Sequence, residues 1–197
     1  MLLVIRLGVS QILNGKNDTM IDSIKQIDCT GCMMCKDVCP KRAITYEIDH
    51  EGFWYPKVDY DKCIKCGKCI KTCPSLSEHR NSGAHEPKVY AAWALDDSIR
   101  LKSTSGGIFY ILAEEMLKLG GVIAACKYTD DYKAAYHTIG DTIEDLEEFK
   151  GSKYFQSDTE GIYKGIRDQL KSGKKVLFCG TPCQVAGLSR FIGTENP

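Results

Sequence analysis

The sequence predicts two unlike units in tandem. A small, cysteine-built α+β domain occupies residues 28–76, and an α/β domain with an incomplete sheet and flanking helices occupies residues 88–197. Two observations carry this division. Eight of the eleven cysteines fall within residues 28–74, in two copies of one spacing. From Val89 onward, strand-like apolar runs alternate with helical ones, the pattern of an α/β layer architecture. Between the units, "SLSEHRNSGAHEPK" is polar and turn-rich and reads as a linker over residues 77–87.

Residues 1–27 read as an N-terminal extension, in which Met20 would be a natural start and residues 1–19 carry no assignable function. The opening "MLLVIRL" is too short for a signal-peptide core, and no small-residue cleavage site follows it. No apolar run is long enough to span a bilayer, so a cytoplasmic location is the default expectation. Lysine plus arginine equals aspartate plus glutamate at 26 each, which leaves no overall basic field for nucleic acid or an anionic membrane. Lys174 and Lys175 read as a solvated strand entry.

"CTGCMMCKDVCP" at residues 29–40 recurs as "CIKCGKCIKTCP" at residues 63–74. Each copy reads C-x-x-C-x-x-C-x-x-x-C-P, the run in which three thiolates wrap one cuboidal [4Fe–4S] core and the fourth reaches the other cluster. Cys29, Cys32, Cys35 and Cys73 are thus assigned to one cluster, and Cys63, Cys66, Cys69 and Cys39 to the second. Pro40 and Pro74 turn the chain away from each site, and Gly31 and Gly67 allow close approach. The first unit is therefore expected to be a ferredoxin-like dicluster domain. A pair of zinc sites is the competing assignment, but zinc usually takes C-x-x-C pairs across a longer spacer. In a reducing compartment a disulfide framework is disfavoured.

Between the copies, Ile44, Tyr46 and Ile48, then Phe53, Tyr55 and Val58, alternate around a turn at residues 50–52, which predicts a β-hairpin. Phe53, Trp54 and Tyr55 either cover the clusters' apolar flank or pack as ordinary core. His50 falls at the turn and reads as solvated.

In the second unit "VYAAWAL" is a strand candidate. The helix that follows is expected to be N-capped by Ser105, with Ile108, Ile111, Leu112, Met116 and Leu119 as its apolar stripe and Gly120 and Gly121 as its stop. "VIAACKY" is a second strand and "DTIEDLEEF" a short acidic helix. "SDTE" at residues 157–160 has capping-box form ahead of the helix "GIYKGIRDQLKS". "KKVLFC" is a buried-type strand. "TPCQVAGLSRF" is a final helix with Thr181 and Gln184 as a capping box and Pro182 at its first position.

Three stretches carry candidate site chemistry. "STSGG" at residues 103–107 places hydroxyls and glycines at a helix N-terminus, where free N–H groups and the dipole favour phosphate, although such caps also open plain helices. "GSKYFQS" sets Lys153, Tyr154 and Gln156 among small residues, as a cofactor contact or an edge strand. In "FCGTPCQVAG", Cys183 occupies a first helical turn, where a thiolate is favoured. Cys179 and Cys126 end predicted strands. These three thiols are open to reading as further ligands, a redox pair or small buried residues.

Taken as a set and in this order, "STSGG", "GSKYFQS" and "VLFCGTPCQVAGL" resemble the coenzyme F420 hydrogenase/dehydrogenase beta subunit family. The N-terminal dicluster domain and its "DHEGFWYP" hairpin resemble the family's bacterial branch. The resemblance implies FAD as a second cofactor, held at Ser103, Thr104, Ser105, Gly106, Gly107, Ser152, Lys153 and Gln156, with Thr181, Cys183 and Gln184 close to the redox centre. It implies an oxidoreductase that passes electrons between two [4Fe–4S] clusters, FAD and a hydride-exchanging small molecule, the deazaflavin or another, with a redox partner protein or subunit. A dicluster electron-transfer module that docks a partner without catalysis is the alternative. Family members continue past the equivalent of Pro197, so a truncated member is expected, in which FAD retention is in question.

Overall fold

The computed structural model describes residues 20–76 and 89–193. The extension over residues 1–19 and the predicted linker lie outside the described residues, as do residues 194–197.

In the first unit, two 3-10 turns (Ile21–Ser23 and Gln26–Asp28) precede helix α1 (Met34–Val38). The hairpin β1 (Ile44–Ile48) and β2 (Trp54–Val58) follows, then helix α2 (Lys68–Thr72). The strands pair antiparallel from Ile44 opposite Val58 to Ile48 opposite Trp54. The turn is fixed by Asp49, whose Oδ1 accepts the N–H groups of Glu51 and Phe53 at 2.9 Å each, an Asx turn of the usual kind. Met20 and Ile21, placed by sequence in the extension, are buried in this unit's core with Ile44 and Val58.

The two cysteine loops repeat one backbone shape. Gly31 and Met33 hold positive φ in the first copy, and Lys65 and Gly67 do so at the equivalent positions of the second. A left-handed residue therefore stands on each side of the second cysteine and curls the loop back on itself. Glycine relieves only one of the two strained positions in each copy, and a different one each time.

The second unit comprises α3 (Asp97–Leu101), α4 (Ile108–Lys118), β3 (Val122–Tyr128), β4 (Ala135–Gly140), α5 (Ile143–Phe149), α6 (Ile162–Lys171), β5 (Val176–Phe178) and α7 (Pro182–Ile192). The sheet order is β4-β3-β5, with β3 parallel to β5 and antiparallel to β4. β3 is apolar on both faces. Ile123 and Ala125 pack with Leu146 and Phe149 of α5, while Ala124 packs with Ile162, Tyr163 and Ile166 of α6 and Leu188 of α7. This burial on both faces is what a central strand requires.

Four local expectations are corrected. Residues 89–95 form no strand: Val89, Tyr90, Trp93 and Leu95 are exposed, and the segment is tied by the Ala94 N–H to the Gly106 carbonyl at 2.6 Å. Strand β4 has no counterpart among the expected strands. Helix α4 is preceded by Gly107 at φ 79° and not capped by Ser105. Its packed face is Phe109, Tyr110, Ala113 and Leu117, whereas Leu112 and Leu119 of the predicted stripe are exposed. Ser157 does not cap α6, because its hydroxyl accepts the Gln184 side-chain amide at 3.0 Å. Among the described residues, no helix is long and apolar enough to cross a membrane.

Candidate cluster sites and cofactor cleft

Cys39, Cys63, Cys66 and Cys69 line one shared cavity, together with Met20, Ile44 and Val58. Cys66 is exposed, Cys39 and Cys63 are half-buried, and Cys69 is buried. The Ala43 N–H points at Cys39 Sγ from 3.3 Å. Burial pushes the Cys69 thiol up, and the N–H groups of Ile21, Ile70 and Cys69 itself oppose that shift. Donors aimed at sulfur are the arrangement that stabilises bound thiolate.

Cys73 lies near Cys29, Cys32 and Cys35, the other expected set: burial raises each of these three thiols, and the Cys73 charge adds to the rise. Burial pushes Cys32 up to about 11, opposed by the Met34 N–H. Burial raises Cys35 further, opposed by the Tyr46 hydroxyl 3.0 Å from its sulfur. Tyr46 is the aromatic residue that reaches a thiol, while Phe53 is exposed. Among the described residues, no three His, Cys, Asp or Glu side chains gather around a single-ion position.

The second unit grips the first loop. Thr159 Oγ1 and the Tyr163 hydroxyl both donate to the Cys32 carbonyl, at 2.9 and 2.6 Å. Gln156 donates to the Gly31 carbonyl and accepts from the Trp54 N–H, both at 3.4 Å. A Cβ at Gly31 would lie 1.8 Å from the Gln156 amide nitrogen, so only glycine admits this contact. Asp37, buried between the units, accepts the N–H groups of Gly161, Tyr163 and Lys164 at 2.8, 3.1 and 3.3 Å. The carboxylate missing from the start of α6 is thus supplied by the cysteine unit. Burial raises the Asp37 carboxyl, and those N–H groups with the Lys164 charge oppose the rise.

An open cleft of about 1170 Å³ lies at the carboxyl edge of β3 and β5, the edge where open α/β sheets bind ligands. Ser103, Thr104, Ser105, Gly106, Gly107, Ser152, Lys153, Thr181 and Gln184 line it, together with Cys126, Ser157, Cys179 and His137, the last of which no sequence motif singles out. Thr104 Oγ1 accepts the Ser152 N–H at 3.0 Å and so joins the two candidate loops. The first turn of α4, whose leading N–H groups no helical carbonyl can reach, lines the cleft at Ile108, Phe109 and Tyr110. Gly106 sits where a Cβ would meet the Ala92 carbonyl at 2.6 Å.

Two predicted contacts, Gln156 and Cys183, do not line the cleft. Gln156 faces the first cysteine loop, and Cys183 packs beside Cys32 and adds to the charge felt by Cys29 and Cys32. Lys153 lines the cleft, but its ammonium donates to the carbonyls of Glu148, Phe149 and Lys150 at 3.0, 2.9 and 2.7 Å. It closes the C-terminus of α5, where a cation is favoured. Gln184 Oε1 accepts the Thr181 N–H at 2.8 Å and holds the first turn of α7.

His137 brings a polar atom to the cleft floor. Its Nε2 meets the Cys179 carbonyl at 3.1 Å, and Nδ1 is buried without a partner. Burial lowers the His137 pKa below its ordinary 6.5, against the opposing Cys179 carbonyl. The folded state thus binds fewer protons than the unfolded one below that value. Its share of stability is present above pH 6.5 and is lost as pH falls from there through the depressed folded value. A titrating group of this kind costs at most about 1.4 kcal/mol per pH unit. Denaturant unfolding between neutral and mildly acidic pH should therefore show a steeper loss for the wild type than for His137→Phe.

The chain matches known proteins in two blocks. Residues 28–76 match the 4Fe-4S dicluster domain family, and a second dicluster description matches residues 55–115. Residues 89–163 match the N-terminal domain of the coenzyme F420 hydrogenase/dehydrogenase beta subunit. One component of the Na(+)-translocating ferredoxin:NAD(+) oxidoreductase complex of Acetobacterium woodii is 50% identical over 46 residues, 23% of this chain and 13% of that protein. The ferredoxin-type protein NapF of Haemophilus influenzae is 40% identical over 43 residues, 22% of this chain and 24% of its own length. The ketoisovalerate oxidoreductase subunit VorC of Methanothermobacter marburgensis is 29% identical over 56 residues, 27% of this chain and 71% of VorC. The chain thus spans about a quarter or less of the first two relatives. A dicluster domain joined to the beta-subunit N-terminal domain supports assignment of the chain to the coenzyme F420 hydrogenase/dehydrogenase beta subunit family.

Proposed function

We propose that the chain is an iron–sulfur flavoprotein oxidoreductase. Two [4Fe–4S] clusters would be held by Cys29, Cys32, Cys35 and Cys73 and by Cys39, Cys63, Cys66 and Cys69. The cleft would hold FAD, with a hydride-exchanging small molecule as substrate, the deazaflavin or another. When bound, FAD exchanges electrons singly with clusters and in pairs with such a substrate.

One observation carries this reading. The first turn of α7 is a wall shared by the two sites, with Thr181 and Gln184 on the cleft side and Cys183 packed beside Cys32. Cys32 of the first set is therefore the thiol that meets this wall. The donor sets fit their groups. The second four thiols surround a cavity rather than a point, and thiolate ligation displaces the protons that burial otherwise retains. At the cleft, the hydroxyls of Ser103 to Ser105 and the open end of α4 suit a phosphate. The N–H of Met34 steadies Cys32 and the Tyr46 hydroxyl steadies Cys35, and Gln156, Thr159 and Tyr163 fix the loop around Cys32.

Anaerobic reconstitution with iron, sulfide and FAD tests the reading. About eight irons per chain and one FAD, with flavin absorbance bleached on reduction of the clusters, is the expected result. Iron without FAD leaves a carrier module, and zinc in place of iron refutes the proposal. Gly106→Val should weaken FAD binding by about tenfold, about 1.4 kcal/mol, with the iron content unchanged.

A further inference from the structure

We propose that the basic rim around the Cys39–Cys63–Cys66–Cys69 cavity is the docking surface for a small acidic protein that carries single electrons. The inference rests on the iron–sulfur reading above and adds where electrons enter or leave.

The chain is neutral overall, yet its charge is unevenly placed. Residues 39–42 and 62–71 contain Lys41, Arg42, Lys62, Lys65, Lys68 and Lys71 and no carboxylate. All six are exposed. Asp59 pairs with Lys62 at 2.6 Å, and Asp61 stands beside them, so the excess over these carboxylates falls mainly to Lys41, Arg42, Lys68 and Lys71. The equivalent stretch of the first copy, residues 28–38, holds one lysine against Asp28 and Asp37. The sequence repeat is therefore not a charge repeat: only the second site is basic.

A charge run is most often a plain solvated face, but three further observations separate this one. Lys41 and Lys68 line the thiol cavity itself, beside Pro40 and Ile64. Ile64 is 57% exposed at its mouth, which gives the rim an apolar centre of the kind interfaces bury. Cys66 is the exposed thiol of the eight, while Cys32, Cys35 and Cys73 are buried, with Cys32 on the side covered by α6 and α7. The solvent end of the two-site path is thus the basic end, and its opposite end faces the cleft. Tunnelling demands close approach, and an electrostatic rim speeds and orients such short-lived encounters. The partner's complementary charge is negative. In the transfer one electron leaves the reduced carrier and one is gained by this chain, with no bond made and no proton moved.

Binding of the reconstituted chain to an immobilised, oxidised, acidic 2[4Fe–4S] ferredoxin tests the surface without turnover. Binding should fall steeply between low salt and about 0.3 M salt, where screening is short-ranged. Lys41→Glu/Lys68→Glu/Lys71→Glu should weaken it by at least about tenfold, and Lys171→Glu/Lys174→Glu/Lys175→Glu, an equal charge change elsewhere, by less than about twofold. Should the reversal disturb iron uptake, Lys41→Gln/Lys71→Gln serves instead, with an expected loss of about threefold. Equal losses in both sets, or salt-independent binding, overturn the proposal. So does a rim that binds duplex DNA or anionic vesicles while ferredoxin does not bind. Iron analysis separates the two levels: zinc or no iron removes the cluster reading, whereas full iron without rim-dependent binding removes only the docking surface.

Discussion

Serine in place of Cys39 is expected to strip iron from the second motif's site and to leave the first motif's site filled. Iron should fall from about eight to about four per chain, and the surviving cluster signal should be that of the buried site. The reason is geometric. Helix α1 carries Cys35 inward toward Tyr46 and delivers Cys39 at its far end, beside Cys63, Cys66 and Cys69. Cys73 makes the reciprocal crossing and adds its charge to Cys29, Cys32 and Cys35. Double variants make the test decisive, because residues serving one site do not add while residues serving two sites do. Cys39→Ser with Cys63→Ser should lose no more iron than either change alone. Cys39→Ser with Cys29→Ser should lose nearly all of it. If each motif instead kept its own four thiols, the two outcomes would be exchanged. Anaerobic iron and sulfide analysis, with low-temperature electron paramagnetic resonance of the reduced protein, reads the result directly.

What is legible in the sequence is mainly local. The cysteine spacing, the hairpin around Asp49 and strand β3 are readable because each is fixed by residues a few positions apart. The capping pair Thr181 and Gln184 is readable for the same reason, since its hydrogen bond spans three residues. Local signals fail where a distant partner decides the matter. The "SDTE" pattern is sound as a local signal, but Gln184 takes Ser157, and Asp37, more than a hundred residues upstream, takes the N–H groups at the start of α6. Residues 89–95 are apolar enough for a strand, yet Val89, Tyr90, Trp93 and Leu95 remain exposed. Strand β4 is invisible in the sequence because its polar members gain their place by pairing with β3. The site divides in the same way. Short glycine and hydroxyl motifs point to the loops that line the cleft. They do not reveal that Lys153 is committed to the carbonyls of α5, that Gln156 holds the backbone of the first cysteine loop, or that Cys183 packs beside Cys32.

Asp37→Ala should be the most disruptive change outside the cysteines, because it acts on the junction and on neither site directly. The carboxylate accepts three N–H groups at the start of α6 from within the other unit. Alanine leaves those donors without their acceptor, the Tyr163 N–H among them buried, at a cost of about 1–3 kcal/mol for an orphaned buried group and more where a charged partner is lost. A net loss of about 3 kcal/mol follows, and Asn, which keeps one acceptor, should lose about 1 kcal/mol. The exposed pair Lys36–Glu160, which spans the same junction at 2.5 Å, is worth much less, at most about 1 kcal/mol. Glu160→Gln is therefore the matched control. The cost will not stay at α6, because the same helix presents Tyr163, whose hydroxyl meets the Cys32 carbonyl at 2.6 Å. Loosening α6 frees the loop that carries Cys32 and the wall beside Cys183. Denaturant unfolding should show the stability loss, and limited proteolysis should cut between the units of Asp37→Ala before those of Glu160→Gln. The reduced cluster signal of the first site should broaden in Asp37→Ala, while the second site, whose cavity is lined by neither α6 nor Asp37, keeps its own. A variant that unfolds with an unchanged first-site signal would show that the junction bears only stability and does not position the thiols.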